Sequence, residues 1–273
     1  MNLLTKNNII KNVEVPYDSY NYAQFWEKRN YEDQAEKIAL KKLFQKIPSS
    51  KRNLIIDIGG GFGRLGEIYA PEFKKCFLVD PSEKLLNLAK KKLKNFKNIE
   101  FKKGSGEKLP FKENSFDVAL IIRVIHHFQN PEKFFKETSR ILKPQGFLIL
   151  EFANKIHFLA CLRAWSRGNL KFTKQLESID QRSPKSIAAE TIPFLNHHPK
   201  FVINLLNKNG FEVISILSVS NFRHHFLKKV IPLPMLLFLE SKIQKIAASF
   251  YFGPSIFILA KKIKPEDFKI KKE

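Results

Sequence analysis

The residues with the most specific chemical potential lie in the stretch 55–65, Ile-Ile-Asp-Ile-Gly-Gly-Gly-Phe-Gly-Arg-Leu. Asp57 closes an apolar, β-branched run. Alternating glycines follow it, at Gly59, Gly61 and Gly63. Because glycine adopts positive φ and has no Cβ, a ligand can lie directly on the main chain of such a turn. The pattern predicts a strand, a ligand-binding turn and the start of a helix.

A second acid ends the next predicted strand. Residues 76–79 are a short apolar run that stops at Asp80, and Pro81 follows. In an open parallel sheet, ligands bind outside the carboxyl ends of the strands. We therefore expect Asp80 to lie beside the glycine turn, where its carboxylate can bind both hydroxyl groups of a ribose.

Two cofactor classes fit these residues. The spacing Gly61-x-Gly63-x-x-Gly66 formally matches the fingerprint of dinucleotide-binding sites. With Asp80 downstream, this frame predicts NAD. The alternative frame begins with Asp57, which stands two residues before the first of its alternating glycines. The choice between the frames rests on the surrounding elements.

Strand and helix patterns alternate through residues 53–152, which is typical of a parallel sheet covered by helices. Five strands are predicted, at 53–58, 76–79, 99–102, 116–122 and 147–152. Asn130 and Pro131 are typical helix-start residues, and Pro144 and Gly146 mark the turn into the fifth strand. Right-handed crossovers between parallel strands then give a doubly wound α/β sheet.

Taken in order, these motifs resemble the class I S-adenosylmethionine-dependent methyltransferases, and in particular the methyltransferase type 11 sub-type. Asp57 and the glycines after it are similar to that family's first motif, and Asp80 to the ribose-binding acid of its second. Residues 104–111, Gly-Ser-Gly-Glu-Lys-Leu-Pro-Phe, look like the segment that surrounds the adenine. Residues 141–148, Ile-Leu-Lys-Pro-Gln-Gly-Phe-Leu, look like the turn into the fifth strand. The resemblance covers residues 53–152.

The resemblance implies a Rossmann-like methyltransferase fold, a seven-stranded, mostly parallel sheet with an antiparallel last strand at 255–260. S-adenosylmethionine is the implied cofactor, and no metal is implied. The residues assigned to the cofactor are Asp57, Gly59, Gly61, Gly63, Asp80, Pro81, Ser105, Gly106, Glu107 and Arg123. Ser105 departs from the family pattern, because an acid usually stands there to accept a hydrogen bond from the adenine amino group. Gln145 likewise replaces a turn glycine.

A sixth strand is predicted at 211–219. The chain divides into five predicted segments, with helical insertions after the fifth and sixth strands. The segments are a helical arm or lid at 1–50, the cofactor-binding core at 51–152, an acceptor-site insertion at 153–198, the C-terminal part of the core sheet with a helical insertion at 199–262, and a charged tail at 263–273.

The predicted chemistry is an in-line displacement, in which the alignment of donor and acceptor supplies much of the rate. A general base is needed only where the acceptor loses a proton during the attack. Histidine titrates near neutral pH and is the natural candidate. The candidate bases are His126, His127, His197 and His198, and the two preferred are His127, which follows the fourth strand, and His198, which precedes a helix. A helix cap or a surface position is the alternative for each.

Three functions stay open at this point. The first is methyl transfer from S-adenosylmethionine to an O, N or C atom of a small acceptor. The second is an NAD-dependent oxidoreductase, although the sequence contains no Tyr-x-x-x-Lys pair of the short-chain dehydrogenases. The third is a module that binds S-adenosylmethionine without catalysis, which predicts cofactor binding but no turnover.

The acceptor class is constrained by charge and by motifs. The chain has 48 Lys and Arg against 26 Asp and Glu, a net charge of +22 that attracts polyanions. Nucleic acid is nevertheless disfavoured, because the sequence lacks the Asn-Pro-Pro-Tyr type motif of base amino-methyltransferases and a Cys beside Pro. A small molecule therefore leads. The apolar segment 226–239, headed by Lys228 and Lys229, predicts either a lipid-like acceptor with peripheral contact to an anionic membrane or a hydrophobic wall.

Composition and cysteine content indicate the setting. Hydrophobic residues at 44% and charged residues at 27% exclude a disordered or fibrous chain. Cys76 and Cys161 cannot build a disulfide framework and lack the spacing of zinc ligands. The absence of a signal-peptide core and of a long apolar stretch predicts a cytoplasmic protein. Nothing in the sequence indicates an oligomeric state.

Overall fold

The computed structural model of the protein describes residues 22–128, 130–189 and 191–263. Part of the predicted arm, at 1–21, and the predicted tail from 264 onward lie outside the described residues. The described helices are α1 (Tyr22–Glu27), α2 (Asn30–Gln45), α3 (Gly66–Tyr69), α4 (Glu83–Lys92), α5 (Glu132–Ile141), α6 (Phe158–Ser166), α7 (Pro184–Ala188), α8 (Pro199–Lys208), α9 (His225–Val230) and α10 (Leu233–Ala248). The strands are β1 (Leu54–Ile58), β2 (Lys75–Asp80), β3 (Ile99–Lys103), β4 (Phe116–Ile121), β5 (Leu142–Ala153), β6 (Ile179–Asp180), β7 (Leu195–Asn196), β8 (Phe211–Val219) and β9 (Ser255–Lys262).

Seven strands form one sheet in the order β3-β2-β1-β4-β5-β9-β8. The strands from β1 to β5 are parallel, and β9 is antiparallel to both β5 and β8. Strand order reverses between β1 and β4, which is the switch point where open α/β sheets bind ligands. The predicted doubly wound, mostly parallel sheet with an antiparallel last strand is confirmed.

The central strands are continuous apolar runs because helices cover both faces of the sheet. Every residue of β4 is buried. One core cluster includes residues of α2, α4 and α10 against the sheet, and a second includes residues of α5 and α8. The two layers hold the carboxyl ends of β1, β2 and β4 in fixed positions, and these ends carry the predicted site.

The fifth strand begins earlier than predicted. β5 starts at Leu142, directly after α5, instead of at residue 147. Leu142 pairs with Phe116, and after a shift in register Phe147 pairs with Val118. The residues between these pairs bulge, and Gln145 has φ +61°. Residue 145, where the family has glycine, therefore adopts the left-handed backbone conformation in this protein.

We expect Gln145→Gly to stabilise the protein. A residue other than glycine in the left-handed region costs about 1–2 kcal/mol, whereas glycine loses about 0.5–1 kcal/mol more entropy on folding. The net gain should be about 0.5–1 kcal/mol, or roughly 2 °C in Tm. Urea denaturation measures it. Gln175→Gly is the matched control, because Gln175 has φ −78° and should lose stability. A loss in Gln145→Gly would contradict the expectation.

The two insertions lie after β5 and β8, as predicted. The first contains α6, α7 and the small sheet of β6 and β7, and the second contains α9 and α10. α6 begins at Phe158, later than the predicted 155, because the backbone N–H groups before it donate to carbonyl groups outside the helix. Asn154 N donates to Pro254 O at 2.9 Å, and Lys155 N donates to His197 O at 3.0 Å. The division into five functional segments stays a prediction.

Candidate functional site

The glycine turn lies at the carboxyl end of β1, at the switch point of the sheet. Gly59, Gly61 and Gly63 have φ values of +73°, +53° and +76°. Val79 O, in β2, accepts a hydrogen bond from Gly59 N at 2.8 Å. A Cβ on Gly59 would lie 2.5 Å from Cγ2 of Val124, which follows β4. The turn is therefore packed closely between the ends of three strands, and the first glycine is required there.

Asp80 joins the glycine turn to α4. Its Oδ2 accepts a hydrogen bond from Gly61 N at 2.9 Å, and its Oδ1 accepts one from Ser82 N at 2.9 Å. Ser82 caps α4, because its hydroxyl accepts from Leu85 N at 3.1 Å. Pro81 lies between them and is exposed. The structure places the Asp80 carboxylate against the turn, and its bond to a ribose stays a prediction.

Asp57 is a buried acid beneath the turn. Burial raises the pKa of Asp57 to about 7, the charge of Asp80 adds to the increase, and Tyr69 and Arg64 oppose it. A Cβ on Gly60 would lie 2.8 Å from Oδ2 of Asp57, so the turn folds directly over this carboxyl group. The site thus holds two carboxyl groups close enough to influence each other.

Because the pKa of Asp57 in the folded state lies above its ordinary value of 3.8, stability should depend on pH. The folded state keeps a proton that the unfolded state releases above pH 4, so this contribution is full below about pH 4 and is lost as the pH rises through about 7. Between pH 5 and 8, wild type should lose about 2 kcal/mol more unfolding free energy than Asp57→Asn. Urea denaturation of both proteins at the two pH values tests this, and parallel losses would contradict it.

The predicted adenine segment is a tight turn beside Asp80. Gly104 N donates to Asp80 O at 3.2 Å, and Lys108 N donates to Ser105 O at 3.0 Å. Ser105 and Glu107 are exposed, and Glu107 N lies 3.4 Å from the Ser105 hydroxyl. A Cβ on Gly106 would lie 1.9 Å from the ring of Phe134, so only glycine fits. The sheet brings this segment to the site, and its contacts with adenine stay a prediction.

Arg123 occupies a strained position after β4. It has φ +62°, and its backbone N–H donates to Oε2 of Glu151 at 2.8 Å. Its guanidinium forms an ion pair with Glu36 of α2, whose side chain is fully buried. Backbone strain of this kind is typical of functional sites. Because Glu36 already binds this guanidinium, the structure gives no direct support to its predicted role in cofactor binding, which stays a prediction.

Arg123 belongs to a network of buried charges that no sequence motif indicated. Arg64, in the glycine turn, donates to Glu36 at 2.5 Å and to Asp33 at 2.6 Å. The Arg64 guanidinium also lies 3.7 Å from the ring centroid of Trp26, in α1. These contacts therefore hold α1 and α2 against the glycine turn. The sequence contained one indication of the network: Glu36 lies on the same face of α2 as buried Ala35 and Ala39, and an acid at such a position indicates a buried basic partner.

The two predicted bases have structural partners. His198 Nδ1 accepts from Lys200 N at 3.1 Å, and its Nε2 donates to Thr173 O at 3.0 Å. His198 is therefore the N-cap of α8, the alternative stated for it. His127 Nδ1 lies 2.8 Å from Pro193 O, and burial lowers the pKa of His127. Neither geometry supports catalysis, and both roles stay predictions.

A third histidine is better placed for proton transfer than these two. His126 is buried, and its Nδ1 has no hydrogen-bond partner among the described residues. Its ring centroid lies 4.1 Å from that of His127 and 4.7 Å from that of Phe194 in the first insertion. Burial, chiefly, and neighbouring positive groups lower the pKa of His126 well below 6.5, so the ring is neutral at pH 7. The sequence showed two adjacent histidines but not which of them has an unpaired nitrogen.

The charge of the site fits a cationic ligand better than a pyrophosphate. The carboxyl groups of Asp57 and Asp80 surround the glycine turn, and a positive ligand would stabilise both in their ionised form. The helix after the turn, α3, has only four residues and begins at Gly66. So short a helix offers little of the dipole that binds the phosphates of dinucleotides. S-adenosylmethionine carries a sulfonium and fits this donor set.

Sequence comparison decides between the two cofactor frames. A family model described as a methyltransferase domain matches residues 56–150. This region of the chain is similar to the class I S-adenosylmethionine-dependent methyltransferases. The matched region runs from β1 to β5 and contains the glycine turn, Asp80 and the adenine segment. The predicted family and cofactor are confirmed, and the NAD-dependent alternative finds no support.

Two relatives show how far the similarity extends. An uncharacterized methyltransferase of Bacillus subtilis is 32% identical over 98 residues, which are 35% of this chain and 39% of that protein. A ubiquinone/menaquinone biosynthesis C-methyltransferase of Rickettsia bellii is 34% identical over 158 residues, which are 54% of this chain and 60% of that protein. The chain thus covers less than two thirds of the length of each relative.

Solved structures share the fold across most of the chain. A S-adenosylmethionine-dependent methyltransferase of Thermotoga maritima gives a TM-score of 0.57 at 24% identity, covering 88% of this chain and 94% of that one. A second, of Mesorhizobium loti, gives 0.56 at 16% identity, covering 83% and 97%. These two solved structures therefore share the overall fold of this chain.

Two absences apply to the described part of the chain. Among residues 22–128, 130–189 and 191–263, no helix combines the length and hydropathy needed to cross a bilayer. In the same ranges, no group of three or more His, Cys, Asp or Glu side chains is arranged to hold a metal ion.

Proposed function

We propose that this chain transfers the methyl group of S-adenosylmethionine to a small-molecule acceptor. The observation that carries the proposal is the hydrogen bond between Asp80 Oδ2 and Gly61 N. It brings the acid that the family uses for ribose into contact with the glycine turn at the switch point of the sheet. The match of the family model over this region supports the same cofactor.

The residues of the chain bind and orient, while S-adenosylmethionine supplies an activated methyl group when bound. In this proposal Asp80 binds the ribose, and the glycine turn lets the cofactor approach the main chain. Asp57 and Asp80 balance the positive charge of the ligand. Trp26 and the Arg64–Glu36 pair close the N-terminal side of the turn and limit the access of water. Much of the rate then comes from alignment.

The acceptor in this proposal is apolar and lipid-like. The Rickettsia relative, whose name assigns it to quinone biosynthesis, supports an apolar acceptor, and the motifs disfavour nucleic acid. Nδ1 of His126 has no hydrogen-bond partner within the described ranges, so His126 is better placed than His198 to take a proton where the acceptor must lose one. A cytoplasmic location is also part of the proposal.

Methyl transfer can be tested with tritium-labelled S-adenosylmethionine. The purified protein is incubated with membrane lipid extract and, separately, with soluble quinols, and the organic phase is counted. We expect label in the organic phase with wild type and background counts with Asp80→Asn. Ser82→Ala is the matched control, because it removes the α4 cap next to Asp80 but not the carboxylate. Cofactor binding without transfer to any acceptor would favour a binding module.

A further inference from the structure

Two segments of the described chain expose large apolar side chains to solvent. On α9 and α10, exposed fractions lie between 55% and 67% for Phe226, Val230, Met235, Phe238 and Ile246. On α6, the exposed apolar side chains are Phe158, Leu159, Leu162 and Trp165. Soluble monomers rarely expose so many large apolar groups close together, and such surfaces mark interaction sites. We call these two sets of side chains the apolar face.

The apolar face carries positive charge and no exposed acid. Residues 154–176 contain no Asp or Glu. Residues 221–252 contain one acid, Glu240, which is fully buried and bound by the Tyr31 hydroxyl at 2.7 Å. The exposed basic residues in these segments include Arg163, Arg167, Lys171, Lys174, Lys229 and Lys242. Apolar groups surrounded by cations are complementary to an anionic lipid surface.

The two parts of the apolar face are neighbours in space. The ring of Phe158 stacks on that of Phe252 with centroids 5.0 Å apart, which joins α6 to the segment after α10. Arg163 of α6 and Arg223, just before α9, both lie close enough to His157 to lower its pKa, which burial and these charges bring to about 4. The segments on both sides of the second insertion therefore lie close to α6 of the first insertion.

The inner sides of α9 and α10 explain why their outer sides are available. Leu227, Ile231 and Leu237 pack against the core cluster that contains α2. Lys228 forms an ion pair with Glu32 of α2 at 2.9 Å. With these contacts made, the outward positions of α10, such as Phe238 and Lys242, are exposed to solvent. The Lys242 ammonium lies 5.5 Å from the Phe238 ring centroid, so charge and apolar surface are interleaved.

We propose that the apolar face docks on an anionic lipid bilayer. Phe226, Phe238 and Trp165 enter the boundary between headgroups and acyl chains, while lysines and arginines contact lipid phosphates. The attachment is peripheral. The attachment does not depend on catalysis. Only one consequence rests on the proposed function: docking would place the acceptor-site insertion against the bilayer, from which the protein could take up a lipid-like acceptor.

Vesicle co-sedimentation of the full chain, without cofactor or acceptor, tests the proposal. The vesicles are phosphatidylcholine alone, or phosphatidylcholine with one quarter phosphatidylglycerol, at low and high salt. We expect binding to the anionic vesicles at least tenfold tighter than to the neutral ones, weakened by salt. Phe226→Ser with Phe238→Ser should reduce binding more than tenfold. Lys229→Glu with Lys242→Glu should do the same, since each basic residue contributes about fivefold.

Matched controls replace similar residues outside the apolar face. Ile214→Ser changes an exposed apolar side chain on the edge strand β8, and Lys90→Glu changes an exposed lysine on α4. Both should bind within twofold of wild type, and all variants should keep the wild-type Tm. Absence of binding to anionic vesicles would overturn the proposal. Unchanged binding by the double Phe variant would also overturn it, because charge attraction alone would then explain the binding. The third contradicting result is a dimer in solution that the double Phe variant converts to a monomer, because the apolar face would then bind a second copy of the chain.

Discussion

Replacing Asp80 with asparagine is expected to weaken S-adenosylhomocysteine binding by about 100-fold, equivalent to about 2.7 kcal/mol. The carboxylate lies against the glycine turn, where we propose that it binds the ribose hydroxyl groups. A neutral amide has one acceptor oxygen and lacks the charge that strengthens such hydrogen bonds. Equilibrium dialysis with labelled S-adenosylhomocysteine measures the change in Kd.

The control for this prediction must separate binding from folding, because Asp80 also accepts from Ser82 N. Ser82→Ala removes the α4 cap, which should lower stability by about 0.5–2 kcal/mol. Its Kd for S-adenosylhomocysteine, measured well below its Tm, should stay within threefold of wild type. If Asp80→Asn behaves like Ser82→Ala, the carboxylate has only a structural role.

Replacing Glu36 with glutamine should destabilise the protein by about 3–5 kcal/mol, because removal of one partner leaves buried charges without compensation. Glu36 is fully buried and binds both Arg64 and Arg123. The expected decrease in Tm is roughly 6–15 °C. Cofactor binding should weaken as well, since Arg64 belongs to the glycine turn. Differential scanning calorimetry measures the first effect.

An exposed ion pair of the same type provides the control for Glu36. Glu72→Gln removes the partner of Arg52, and the Glu72 side chain is 42% exposed. Exposed pairs contribute about 0–1 kcal/mol, so the Tm should change little. Equal Tm values for Glu36→Gln and Glu72→Gln would show that the buried network is not what holds the N-terminal helices in place.

The fold could be predicted from the sequence because its signals are local. The acid and glycines at residues 57–63 mark a strand and a turn, and the apolar runs at 116–122 and 147–152 mark buried strands. The early start of β5 was missed, because its first pair, Leu142 with Phe116, depends on a bulge and not on residue type. Gln145 adopts positive φ at this bulge, a conformation that its residue type does not indicate.

The site was predictable where recognisable motifs at the ends of neighbouring strands supply its residues. Asp80 and the glycine turn lie 19 residues apart and came together as expected. The Arg123–Glu36 pair joins residues 87 positions apart, and no local pattern indicates which acid meets which arginine. The histidines show the same limit. Residue type alone favoured His198, but both of its ring nitrogens form hydrogen bonds in the structure, whereas Nδ1 of His126 forms none with the residues that the structure describes.

Calorimetric titration of the full chain with S-adenosylhomocysteine and, separately, with NAD tests the central claim most directly. The Asp80 carboxylate against the glycine turn predicts one binding site for S-adenosylhomocysteine, with a Kd of about 1–100 μM, and the short helix after the turn predicts no heat from NAD. Binding of NAD alone would contradict the account and would make Gly61-x-Gly63-x-x-Gly66 the functional frame.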